Sequence, residues 1–282
     1  ATFALSGLSS IKLSDSITAL GDRAFYFTDF VDLDLRSSNV NTLGDYVFGN
    51  PYRLKTVKLP ALTKVGYGTF AHVYDSAMTG VYPLSSVEFA DGTTDIGTGT
   101  FYGSTGYPNL TSISLPDSVR DSVTVIGRNT FRGCTNLTYL NLGTLTRIGD
   151  NAFRGCENLG KNGNPGFTTG DVTSVGSHAF DGCASIAALD LSKAETVGDG
   201  AFLGTGLTAA DLSSCVSIGA SAFRGTPLAS LTVSDRLGTL GSYAFAGTNL
   251  SGTFTFPASL SDAKGAIGYN PFYGTSVTAF AM

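Results

Sequence analysis

The chain has 282 residues, 42% of them hydrophobic and only 14% charged, so it can bury a substantial core and is not a disordered acidic tail. A formal charge of −5 built from few charges of either sign gives no electrostatic footprint for nucleic acid. No apolar run approaches the roughly 18 residues that cross a bilayer.

In chain order, the first apolar run is Leu8/Ile11/Leu13, followed by the hexapeptide LGDRAF, which ends at Phe25. LGDYVF ends at Phe48, the run Leu54/Val57/Leu59 follows, and VGYGTF ends at Phe70. Next comes an insertion carrying His72, Tyr74 and Tyr82, then IGTGTF ending at Phe101, and a second insertion with Tyr102 and Tyr107. The run Leu110/Ile113/Leu115 leads to IGRNTF and Phe131, and Leu137/Leu140/Leu142, which contains Tyr139, leads to IGDNAF and Phe153. A Gly/Asn-rich stretch, GKNGNPGFTTGD, stands where a regular run is due and reads as a flexible excursion. VGSHAF, VGDGAF, IGASAF, LGSYAF and IGYNPF then end at Phe180, Phe202, Phe223, Phe245 and Phe272. The runs Ile186/Leu189/Leu191 and Leu228/Leu231/Val233 lie among them, and Leu250–Phe256 carries one residue too many, as at a bulge.

The hexapeptide (I/V/L)-G-x-x-x-F thus occurs eleven times, its phenylalanines 21 to 31 residues apart and most often 22. A period of this length marks a solenoid. The last two apolar residues of each run stand two apart, the period of a short strand with one buried face. One strand per unit, always in the same sense, predicts a stacked parallel sheet. The Gly-to-Phe half reads as one helical or 3₁₀ turn, anchored inward by its phenylalanine. Asp22, Asp45, Asp150, Ser177, Asp199 and Ser242 are expected to cap that turn. A glycine two residues past the phenylalanine, such as Gly155 or Gly204, suits the left-handed residue that ends it. At the strand spacing of about 4.8 Å, eleven units make a rod on the order of 50 Å long. Val277, Phe280 and Met282 end the chain in strand spacing as an uncapped edge, which predicts that the protein continues or that a partner covers it. The start at Ala1, without methionine or leader, predicts a mature or trimmed part of a longer protein.

Cys134, Cys156 and Cys183 share one slot of the repeat, which threonine fills in FLGTGL and FRGTPL. A site that accepts a thiol or a hydroxyl wants a small side chain with one backbone hydrogen bond, so neither a disulfide nor thiolate chemistry is expected there. Together these residues carry a resemblance. IGDNAFRGCENL and LTSISLPDSV (110–119) are similar to the consensus of the BspA-like (Treponema pallidum-type) leucine-rich repeat of bacterial surface proteins. The resemblance implies a single leucine-rich-repeat solenoid over 1–282, with short parallel strands on one face and turns and loops on the other. For function it implies only a surface for binding or adhesion.

Nothing in the sequence points to catalysis. His178 fills a slot held by asparagine, glycine, serine or tyrosine in other copies and reads as a solvent-side residue. His72 has no partner motif, and no HExxH, GxSxG, P-loop or paired CxxC is present. Asp32, Asp34, Glu88, Asp190 and Asp211 occupy outward strand slots and read as solvated positions. Neither an enzyme, a metal nor a cofactor is expected. The two consecutive insertions should emerge at one rim, where Tyr74, Tyr82, Tyr102 and Tyr107 either pack the longer loops against the rim, the reading favoured, or offer rings and hydroxyls for a partner; Tyr139 is a further candidate on a strand. The leading reading is an extracellular or cell-surface bacterial module that binds a host or matrix protein. A carbohydrate-binding protein and a structural spacer are the alternatives.

Overall fold

The computed structural model describes residues 3–72, 83–103, 109–115, 122–261 and 266–281. They form a right-through stack of coils in which every strand pair is parallel. The expected strands are present at Asp32–Asp34, Thr56–Leu59, Ser86–Phe89, Ser112–Ser114 and Tyr139–Leu140, as one five-stranded sheet. Ala209–Leu212 pairs with Ser230–Val233, and Ser251–Thr255 with Ser276–Ala281. The bulge expected between Leu250 and Phe256 is a register shift at Gly252/Thr253. The runs at 8–13 and 186–191 pack onto the core without forming strands.

Each regular coil holds two strands where the sequence pattern predicts one. The second is only the dipeptide before the motif glycine, one residue outward and one buried, too short to show a period. Ala19–Leu20, Thr42–Leu43 and Lys64–Val65 make a three-stranded sheet. Val125–Ile126, Arg147–Ile148, Ser174–Val175, Thr196–Val197, Ser217–Ile218 and Thr239–Leu240 make a six-stranded one. Asp95 separates the two sheets. In a regular coil the Leu240 N–H donates to the next coil's carbonyl at Ala266, at 2.7 Å. The equivalent Val65 N–H donates instead to the Asp95 carboxylate, at 2.8 Å, while the other oxygen accepts from the Gly97 N–H. A side chain thus replaces the backbone acceptor, and the ladder stops there.

The eleven motif phenylalanines are buried. Their rings stack face to face along the rod, successive centroids 5.1–5.7 Å apart and planes 8–21° from parallel. Offset stacking at this distance is a favoured aromatic geometry. Phe3 extends the column at one end, 5.6 Å from Phe25. Phe167 joins it from the side, 5.3 Å from Phe153. The Gly/Asn-rich stretch is therefore not a free excursion. Its Pro165 and Gly166 carbonyls accept the Leu140 and Leu142 N–H groups, and Phe167 is 6% exposed.

The corner that carries each phenylalanine is a pair of hydrogen-bonded turns. The second residue after the motif glycine is left-handed in all eleven copies, with φ between 46° and 62°, from Arg23 to Asn270. That residue interrupts a continuous helical turn, and asparagine and glycine each hold the slot three times because they tolerate the conformation. His178 holds this slot with φ 54°; it is half-buried, and its Nδ1 lies 3.1 Å from Asp181, which also pairs with Arg154 at 3.0 Å. His178 is thus part of a surface cluster rather than a purely solvent-side residue.

Corners are tied to one another through the backbone. The Ser221 N–H donates to the Ser242 carbonyl and the Phe223 N–H to Ala244, at 2.8 and 2.7 Å, and the pattern repeats along the rod. The acidic residues serve the same end. Asp22, Asp45, Asp150 and Asp199 do not cap their own turns; each accepts the N–H of the equivalent residue one coil later, at 2.7–2.9 Å. Ser242 does the same for Tyr269. Stacking supplies the acceptor that an isolated turn would have to find locally.

All four cysteines are free and buried. The Cys156 and Cys183 thiols donate to the Phe131 and Phe153 carbonyls of the preceding coil, at 3.1 and 2.9 Å. Thr205, Thr226, Thr248 and Thr275, in the same slot, donate to the phenylalanine of their own coil at 2.8–3.0 Å. Burial pushes the Cys156 and Cys183 thiols far above their ordinary range and Cys215 up to about 11. The native protein should therefore not react with Ellman's reagent until it unfolds. Cys183→Thr should change stability by no more than about 1 kcal/mol, since one backbone hydrogen bond replaces another. Rapid labelling of folded protein would contradict this account of the slot.

Candidate functional site

Among the described residues, polar and aromatic side chains gather on the five-stranded sheet and on the ridge formed by the corners. Among the described residues no group of three or more His, Cys, Asp or Glu side chains is placed to hold a metal ion. No described helix is long and apolar enough to cross a membrane. His72 is buried beside Gly103, with which it forms an isolated parallel bridge, and burial lowers its pKa.

On the sheet, Asp34, Lys58 and Glu88 stand opposite one another on three neighbouring strands. Arg36 forks onto Asp34, with Nη2–Oδ2 at 2.7 Å and Nε–Oδ1 at 3.0 Å, and reaches Glu88 at 3.4 Å. Lys58 closes on Glu88 at 3.8 Å. The hydrogen bonds from Arg36 hold the Asp34 carboxyl down at about 2. These groups are solvated, so the network adds little stability; what it does is fix an alternating pattern of charge on a rigid lattice. Asp190 and Asp211 are explained locally: each accepts the N–H two residues on, at 3.0 Å, in a turn that ends its run. Tyr139, 44% exposed, stands on the edge strand of the same sheet.

On the ridge, Tyr46 and Tyr67 from neighbouring coils meet edge to face, with centroids 5.5 Å apart. The Arg23 guanidinium lies 5.6 Å from the Tyr46 centroid and 6.0 Å from that of Tyr26. The Tyr26 hydroxyl accepts from Asn50 Nδ2 at 2.7 Å. Tyr102, half-buried, has Arg132 5.3 Å above its ring. The arrangement recurs near the other end, where Tyr243 meets Tyr269 at 5.5 Å and Tyr273 at 6.2 Å, with Arg224 5.8 Å away.

Of the sequence-based candidates, Tyr102 falls on the ridge and Tyr139 on the sheet; the two are not brought together. Tyr74, Tyr82 and Tyr107 lie outside the described residues. Tyr46, Tyr67, Tyr243 and Tyr269 are not among those candidates because they sit in variable slots of the hexapeptide rather than in insertions. The signal that finds them is legible all the same: tyrosine fills these slots in LGDYVF and VGYGTF, then again in LGSYAF and IGYNPF.

The chain matches the family model of the BspA type leucine rich repeat region over residues 1–79, 71–165 and 163–278, with six copies. No curated protein matches it. Among solved structures it is similar to a leucine rich cell surface protein from Faecalibacterium prausnitzii, at 19% identity over 94% of this chain and 83% of that one, with a TM-score of 0.43. It is likewise similar to a leucine-rich repeat protein from Bacteroides ovatus, at 19% identity over 99% and 73% of the two chains, with a TM-score of 0.47. The family match spans nearly the whole chain and agrees with the stacked coils, and on that ground the chain belongs to the BspA-type leucine-rich-repeat family.

Proposed function

We propose that the chain is a non-catalytic binding module of a cell-surface or secreted bacterial protein, and that its sheet face engages a host or matrix protein. The observation that carries this reading is the fixed charge row of Asp34, Arg36, Lys58 and Glu88, on the same sheet as exposed Tyr139. Such a row selects partners by complementary charge and sets the approach rate more than the affinity. A repeat solenoid supports it because stacking holds the strands at constant spacing, so side chains on the sheet are presented already in place. The test is biolayer interferometry of the purified chain against extracellular-matrix and serum proteins. Arg36→Glu with Lys58→Glu should weaken capture of a binding protein by about tenfold, in a salt-sensitive way. Unchanged capture by that double variant would remove the sheet face as the site.

A further inference from the structure

We propose that the N-terminal corner ridge, centred on Tyr26, Tyr46, Tyr67 and Arg23, is a binding site for a neutral oligosaccharide, separate from the sheet face. The three tyrosines come from three successive coils, and each ring occupies space that a glycine of the next coil leaves empty. A Cβ at Gly49 would lie 2.8 Å from the Tyr26 ring, one at Gly68 2.8 Å from Tyr46, and one at Gly99 2.8 Å from Tyr67. The rings therefore rest on backbone across the coil boundaries, and Tyr46 is buried enough for its hydroxyl pKa to be raised. Side chains seated in this way lose little freedom when a ligand lands on them.

The polar groups around the rings decide the ligand class. Arg23 is exposed and forms no ion pair among the described residues, so its edges are available as donors. Asp22 and Asp45 each use one oxygen, Oδ1, for the next coil's N–H, which leaves Oδ2 as an acceptor on the same ridge. Donors and acceptors thus alternate over a span of two coil steps, on the order of 10 Å. A sugar hydroxyl both donates and accepts, and the C–H face of a pyranose stacks on a tyrosine ring. An acidic chain would meet the carboxylates of Asp22 and Asp45, and an apolar ligand would strip water from groups it could not satisfy. The mixture fits a short run of uncharged sugars. The Tyr243–Tyr269 pair repeats the ring geometry, but Ala220 and Ser242 stand where Asp22 and Asp45 stand beside Tyr46, so the second cluster lacks the carboxylates.

The test is isothermal titration of the whole chain with cellohexaose, chitohexaose, mannohexaose and laminarihexaose, alongside a heparin dodecasaccharide and an oligogalacturonate as acidic arms. At least one neutral hexaose should bind, and Tyr46→Ala or Tyr67→Ala should weaken it by about tenfold. Arg36→Glu and Tyr139→Ala, on the sheet, should leave it within about threefold, so loss of the sheet-face reading and loss of this one are separable. Ring-proton NMR of the unmodified chain, read at Tyr26, Tyr46 and Tyr67, guards against a variant that fails to fold; these signals should move as the hexaose is added. Binding confined to the acidic arms, no binding by any neutral hexaose, or tyrosine signals that stay fixed would each overturn the assignment.

Discussion

Gly219→Ala is expected to cost about 3 kcal/mol or more, whereas Gly21→Ala, at the same place in the first motif, should be close to neutral. Neither effect comes from a left-handed backbone, since neither glycine has one. At Gly219 an added Cβ would sit 2.5 Å from the Asp199 nitrogen and 2.5 Å from the Gly198 carbonyl carbon, both backbone atoms of the preceding coil. Backbone cannot rotate aside as a side chain can. Relief requires the coils to separate, and that pulls on the Gly219 N–H to Val197 carbonyl bond at 2.8 Å and the Ala220 N–H to Asp199 carboxylate bond at 2.7 Å. At Gly21 the added atom meets nothing within 4 Å. Gly225→Ala is a second control: it has φ +70° and open space around it, so it pays only the left-handed penalty of roughly 1 kcal/mol. Urea midpoints should rise from Gly219→Ala, far the lowest, through Gly225→Ala to Gly21→Ala. Equal midpoints for Gly219→Ala and Gly21→Ala would show that coil contact does not select glycine here.

That contrast shows why some features were legible in the sequence and others were not. The phenylalanine column was legible because a buried anchor repeats at a fixed place and its residue type cannot vary. The cysteine–threonine slot was legible for a similar reason: two small side chains, each able to donate to a carbonyl, replace one another. Features set by the neighbouring coil were harder to read. Asp150 looks like a cap for its own turn because a linear sequence shows only local partners, yet its acceptor serves Ser177, 27 residues later. The two-residue strands carry no period, and their existence depends on a second copy lying beside them. Phe167 hides in a Gly/Asn-rich stretch whose composition argues for a loop, and one buried ring outweighs that composition. The Tyr46–Tyr67 ridge was visible letter by letter, but only the coil-to-coil register brings the two rings together.

Phe202→Ala is expected to cost about 3–5 kcal/mol and to change how the rod unfolds as well as when. Phe202 lies 5.4 Å from Phe180 on one side and 5.1 Å from Phe223 on the other, and is fully buried. Truncation leaves a hole inside a column whose neighbours are held by their own backbone ladders, so the gap cannot close by collapse. In a solenoid each coil contacts mainly its neighbours, and stability is a sum of coil and interface terms. A hole at one interface weakens the coupling between the two halves of the rod rather than lowering every coil equally. The urea transition should broaden or split, and amide exchange should rise first around 198–226 while the Phe48–Phe70 region keeps its protection. Pairing variants makes the claim stricter. Phe202→Ala combined with Phe48→Ala, far along the column, should be additive; combined with Phe180→Ala, in direct contact, it should depart from additivity by about 0.5–3 kcal/mol. Phe272→Ala should cost less than Phe202→Ala, because its ring is 8% exposed and two rings that pack on it besides Phe245, those of Phe254 and Phe280, are themselves solvent-accessible. A single sharp transition for Phe202→Ala, with uniform loss of protection along the chain, would mean that the rod folds as one cooperative unit and that nearest-neighbour coupling does not limit its stability.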